Sequence, residues 1–176
     1  IKKRLTMLRA MFNKVALELS LNHDMQHPFI KFDIPELGDD ATDRKDFTTK
    51  ELNTLREAPP ARVIELSWLI CLMLETGLRV NECCGLRKED VYLDADTPYL
   101  VIHRNPFRRL KTKGSKRFIP LVGVALTAMR SALKANLKSK WVFTHYIDEV
   151  KETTKNGSAS AAANKRIKAI LGDEAP

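Results

Sequence analysis

Arg79 stands in the run Thr76-Gly77-Leu78-Arg79-Val80-Asn81-Glu82, two residues past a glycine placed to end an apolar helix. A guanidinium held by a rigid backbone can clamp a phosphate through two parallel hydrogen bonds. Glu82 lies three residues on, within reach of Arg79 if the intervening turn is helical. On spacing alone, a structural ion pair stapling two helices is the simpler account of these two residues. The second chemical feature is the run from His103 to Arg117. It carries Arg104, Arg108, Arg109, Lys111, Lys113, Lys116 and Arg117, and no acid. A cationic hairpin of this kind can lie along a nucleic-acid backbone and neutralise phosphates, positioning the protein without reading sequence. A solvated hairpin that is basic by accident fits less well, because no counter-charge stands among those cations. Lys2, Lys3 and Arg4 at one end, and Lys165, Arg166 and Lys168 at the other, either extend the patch or lie on ordinary solvated helix faces.

The elements that must hold these residues follow from periodicity and punctuation. Ile1, Leu5, Leu8, Phe12, Val15 and Leu19 make one apolar stripe on a helical arm over residues 1–20. A lone helix of this length cannot bury its stripe unaided, so the arm reads as the last helix of something larger. From Asp33 to Asp46 the chain is acidic and poor in apolar residues, which predicts a linker. Thr48 and Glu51 have capping-box spacing, and the helix they open ends before Pro59-Pro60. The most apolar helix is expected from about Ala61 to Glu75, with Gly77 as its stop, followed by a short helical turn from Asn81 to Leu86. Val91 to Leu93, Tyr99 to His103 and Arg117 to Leu121 read as strands, with a hairpin tip over Lys111 to Lys116. Residues 123–137 return to helical spacing, Trp141-Val142-Phe143 is a brief apolar segment, and Asp148 to Ser158 reads as a polar loop. A last helix is expected from about Ser160 to Leu171. The fold class is therefore α+β, mainly α, with a small antiparallel three-stranded sheet.

Of the 176 residues, 44% are hydrophobic, enough for one domain with an attached element and too few for two full-sized domains. The formal net charge of +8 favours a polyanionic partner, though its placement says more than its total. No apolar run approaches the roughly 20 residues needed to span a bilayer. The three cysteines are odd in number and two are adjacent, Cys83 and Cys84, which suits neither a disulfide framework nor a zinc site. A reducing, cytoplasmic setting with structural thiols is the expectation.

Taken together, two segments carry a resemblance. Thr76-Gly77-Leu78-Arg79-Val80-Asn81-Glu82, with Gly85-Leu86-Arg87 and Asp90-Val91 after it, resembles the T-G-L-R-x-x-E and x-L-R-x-x-D-[IV] motif of tyrosine recombinases, the phage-integrase family. Lys111-Thr112-Lys113-Gly114-Ser115-Lys116-Arg117-Phe118-Ile119-Pro120-Leu121 resembles that family's K-T-K-x-S-x-R-x-[IV]-P-L segment. The two stand in the family's order at a typical separation. The resemblance implies that residues 1–32 end a helical core-binding (SAM-like) domain. Residues 33–47 would be a linker, and 48–176 the first part of a catalytic domain. It implies that Arg79 binds the scissile phosphate, that Glu82 supports it, and that Lys111, with Lys113 as competitor, protonates the leaving 5′-oxygen. Arg104, Arg108, Arg109, Lys113, Lys116, Arg117, Lys2 and Lys3 would meet DNA. The implied partner is double-stranded DNA, in a tetramer on paired sites, with no metal, nucleotide cofactor, small-molecule substrate or membrane.

The family also carries a His-x-x-Arg motif and a nucleophilic tyrosine farther along. None of His23, His27, His103 and His145 has an arginine three residues on, and Tyr92, Tyr99 and Tyr146 all precede the expected place. The expectation is a recombinase fragment without strand-cutting activity of its own. The alternatives are an inactive DNA-binding relative of the same fold, and an unrelated basic regulator with a helix-turn-helix. For the last, no compact helix pair feeding a basic recognition helix is found.

Overall fold

The computed structural model describes residues 2–20, 45–107 and 116–172. The chain divides into two compact units, residues 1–44 and 45–176. In the first, helix α1 (Lys2–Glu18) carries Leu5, Leu8, Phe12 and Val15 of the expected apolar stripe, and Leu8 and Val15 are exposed.

The second unit opens with α2 (Thr49–Glu57), capped as its sequence predicts. The Thr48 hydroxyl accepts the Glu51 N–H at 3.3 Å, and the Glu51 carboxylate accepts the Thr48 N–H at 2.7 Å. Helix α3 (Ile64–Thr76) begins three residues later than periodicity suggested. Ala61 does not enter the helix because its N–H donates to the Ser67 hydroxyl at 2.6 Å, while Val63 is extended. Leu66, Leu69, Ile70 and Leu72 of α3 are buried, and each such side chain contributes on the order of 1.5–3 kcal/mol. Gly77 ends α3 at φ 63°, its N–H donating to the Met73 carbonyl at 3.0 Å, a left-handed conformation that other residues adopt only at a cost.

Helix α4 (Val80–Cys84) is the expected short turn, and a single 3₁₀ turn (Lys88–Asp90) leads into the sheet. Strands β1 (Val91–Tyr92), β2 (Tyr99–Ile102) and β3 (Arg117–Pro120) form the antiparallel three-stranded sheet in the order β1-β2-β3. Val91 pairs with Leu100 and Leu100 with Ile119, so these residues share the core-facing side. The other side carries Tyr92 stacked on Tyr99 at 4.8 Å, with Phe118 edge-on to Tyr99 at 5.7 Å.

Helix α5 (Gly123–Ala135) packs along α3 and buries Ala125, Ala128, Met129 and Ala132. The Lys88 ammonium closes its C-terminal end by donating to the Asn136 and Leu137 carbonyls. The segment read as a polar loop contains a small antiparallel pair, β4 (Ile147–Asp148) with β5 (Thr153–Thr154). Helix α6 then runs from Asn156 to Leu171, starting four residues before the expected Ser160, and lies against α2 and α4. The core gathers Leu69, Leu72, Leu86, Leu100, Ile102, Met129, Val142 and Phe143 with both adjacent thiols, Cys83 and Cys84. Among the described residues, no helix is long and apolar enough to cross a membrane.

Candidate functional site

The mouth of α3 sets the geometry of the site. Gly77 turns the chain and Leu78 is buried, so Arg79 leaves a fixed backbone as the N-cap of α4. One turn on, the Glu82 carboxylate reaches back and accepts the Arg79 N–H through Oε2 at 2.9 Å. The Arg79 guanidinium stands 3.7 Å from Glu82 Oε1. Its side chain is 68% exposed, whereas that of Glu82 is 5% exposed. An outward cation on a pinned backbone is the arrangement a phosphate clamp needs.

Glu82 is held from a second side. Arg117 of β3 donates from Nη1 to Oε1 at 3.1 Å and from Nη2 to Oε2 at 2.8 Å, a fork-to-fork pair. Arg117 sits opposite Ile102 on the core-facing side of the sheet, which aims it inward. Burial alone would raise the Glu82 carboxyl. The Arg117 hydrogen bonds, the Arg79 N–H and the two guanidinium charges outweigh it and hold the group below the usual carboxylate range. Grouping Arg117 with the other basic residues of its segment missed this pairing. The signal was present, since Arg117 alternates with the exposed Phe118 and shares a side with Ile119.

Of the other basic candidates, Arg104 and Lys116 are exposed at the two ends of the cationic segment. Arg108, Arg109, Lys111 and Lys113 lie outside the described residues, as do the side chains of Lys2 and Lys3. Arg87 serves packing: its guanidinium lies 5.3 Å from the centre of the Trp141 ring and donates to Glu89 at 2.8 Å.

Three positioning contacts were not legible in advance. At the exit of β2, His103 Nε2 meets the buried Asp90 Oδ1 at 2.6 Å, and Asp90 Oδ2 accepts the Arg87 N–H at 3.1 Å. The root of the cationic segment is thereby tied to the turn before β1. The Thr154 hydroxyl donates to Asn81 Oδ1 at 2.6 Å, fastening the β4–β5 pair to α4. Glu65, on the first turn of α3, accepts from Asn136 Nδ2 (3.0 Å), the Thr144 N–H (3.3 Å) and hydroxyl (2.8 Å), and the His145 N–H (2.9 Å). Among the described residues, no group of His, Cys, Asp and Glu side chains gathers to hold a metal ion.

With this geometry in place, a comparison with protein families matches residues 45–175 to the phage integrase family. The chain belongs to that family. Its fold is similar to that of the Tn1549 transposon integrase, solved in complex with a circular-intermediate DNA, at a TM-score of 0.53 and 20% identity. The match covers 76% of this chain and 44% of that one, so the chain spans less than half the length of the transposon integrase it resembles. The fold, mostly helical with a three-stranded antiparallel sheet, is thus shared. No curated protein matches.

Proposed function

We propose that this integrase-family chain is the DNA-binding part of a site-specific recombinase. In its complete form that protein would cleave and rejoin strands through a 3′-phosphotyrosine link. The observation that carries this reading is Arg79, exposed at its guanidinium and fixed at its backbone by a buried carboxylate. In this reading Arg79 binds the scissile phosphate and stabilises charge as phosphorus becomes five-coordinate. Glu82 supports Arg79, and Lys111, or in its place Lys113, protonates the leaving oxygen. Arg104, Arg108, Arg109 and Lys116 neutralise neighbouring phosphates.

The chain's own tyrosines do not serve as nucleophile. Tyr146 is buried, and burial first, then the neighbouring Cys84 and Glu65, push its phenol up. Tyr92 and Tyr99 are engaged with each other on the outer side of the sheet. The nucleophile then belongs to another part of the complete protein, in a tetramer on paired duplex sites. Residues 1–32 would end a core-binding domain, joined through 33–47 to the catalytic unit.

Titration of duplex DNA against this chain at several salt concentrations tests the binding half. With roughly 6 phosphate contacts, log K should fall against log salt with a slope near −5, and a slope near zero would sink the basic-surface reading. In the complete protein, Arg79→Ala should lower the cleavage rate by about 10²–10³-fold, and unchanged cleavage would remove Arg79 from its role.

A further inference from the structure

We propose that the outer face of the three-stranded sheet is a site for unpaired DNA, whose bases stack on Tyr92 and Phe118 and whose phosphates meet Lys116. The inference rests on the recombinase reading only for the source of that DNA: a strand that leaves one complement for another stands unpaired in between. Tyr99 pairs with Pro120 and Val101 with Phe118, so these four side chains share the side away from the core. Tyr92 joins them opposite Tyr99. Cross-strand aromatic pairs support a sheet by covering one another. Here the covering is incomplete: Tyr92 stacks on Tyr99 and is still 45% exposed, and Phe118, edge-on to Tyr99, is 66% exposed.

The surroundings of this face select the occupant. Beside the rings opens a cleft of about 410 Å³ lined by Glu89, Asp90, Tyr92, Val101, His103 and Lys116. Its two acids are already engaged. Glu89 accepts from Arg87 at 2.8 Å, and the buried Asp90 meets His103 at 2.6 Å and the Arg87 N–H at 3.1 Å. Lys116 is exposed, and among the described residues no carboxylate meets it. The sequence between β2 and β3 adds further cations and no acid, so the charge at this edge of the sheet is positive. Open rings beside an unneutralised cation suit a ligand that is flat, apolar on its faces and anionic along its backbone. In duplex DNA the base faces cover one another, so only an unpaired strand offers them to a side chain.

The experiment is binding of an oligothymidylate of about 10 nucleotides by this chain, read by fluorescence anisotropy beside a duplex of equal length. Tyr92→Leu combined with Phe118→Leu keeps the apolar bulk and removes the ring faces. It should weaken binding of the single strand roughly tenfold and leave duplex binding as it was. Unchanged binding of the single strand, or an equal loss on the duplex, would overturn the inference. The unsubstituted chain supplies a second arm that does not depend on how the variant folds. An abasic strand of equal length keeps the phosphates and lacks the bases, and should bind roughly tenfold more weakly than the oligothymidylate. Equal binding would mean that phosphates alone are held, and would also overturn it. Sedimentation should show one species without DNA; a dimer that the double substitution dissociates would give the face to a second copy instead. Loss of salt-dependent duplex binding would remove the recombinase reading, while the comparison of thymidylate with abasic strand still decides this one.

Discussion

Glu65 and Glu82 are both buried carboxylates on neighbouring helices, and the company they keep is opposite in kind. Glu65 is satisfied by neutral donors from two separate places: the Asn136 amide, and the Thr144 hydroxyl with the backbone N–H groups of Thr144 and His145. Every one of those bonds ties chain to chain, joining the start of α3 to the end of α5 and to the turn before β4. Glu82 takes a backbone N–H and two guanidiniums, and one of those guanidiniums points into solvent. A carboxylate with neutral partners closes a structure. One with surplus cations organises a surface that an anion can enter. Burial alone does not separate the two; the charge of the donors does.

The sharpest way to break that contrast is Glu65→Ala. It removes the acceptor of a hydroxyl and two backbone N–H groups and one of the two acceptors of the Asn136 amide, and should cost roughly 2–4 kcal/mol in urea denaturation. The slope of DNA binding against salt should stay as it was. A loss under about 1 kcal/mol would show that the turn holds without its carboxylate.

The second effect is smaller and depends on pH. The Glu82 carboxyl is lowered in the folded chain, so more protons bind to the unfolded chain as acid is added. Its contribution is complete above the unfolded value of about 4.3 and is lost as pH falls through the folded value. Glu82→Gln should therefore cost about 1–2 kcal/mol at neutral pH and flatten the acid limb of the stability curve. A limb as steep as before would assign acid unfolding to other carboxylates.

The smallest effect belongs to Gly77→Ala. No atom lies within 4 Å of a Cβ built there, so the penalty is conformational and should be near 1 kcal/mol in thermal or urea unfolding. A loss several times larger would mean that the turn carrying Arg79 is strained beyond its φ.

What could be read from the residues was what they encode locally. Thr48 with Glu51, Gly77 after Thr76, and the strand segments of β2 and β3 are all encoded within a few residues, and the structure has them. Arg79 with Glu82 belongs to the same class, because three residues along a helix place the two together. The family motifs reached further and pointed to the fold that the comparisons support. The role of Glu65 was not legible, since its partners lie 71 to 80 residues away. Arg117 looked like one more basic residue because its partner is 35 residues back. The β4–β5 pair escaped for another reason: strands of two residues show no periodicity. The start of α6 was hidden by Asn156, Gly157 and Ser158, residue types that mark loops at least as often as helix starts.

The adjacent thiols have a use that their packing did not advertise. Cys83 and Cys84 are both fully enclosed, and burial pushes the Cys84 thiol up to about 12. Neither can present a thiolate to an alkylating reagent while α4 remains seated, whereas Cys71 is only partly covered. The rate at which the pair becomes labelled therefore times the opening of the helix that carries Arg79. The chain has a clock for the turn at Arg79 already installed, one that needs no engineered residue and can be read with or without DNA.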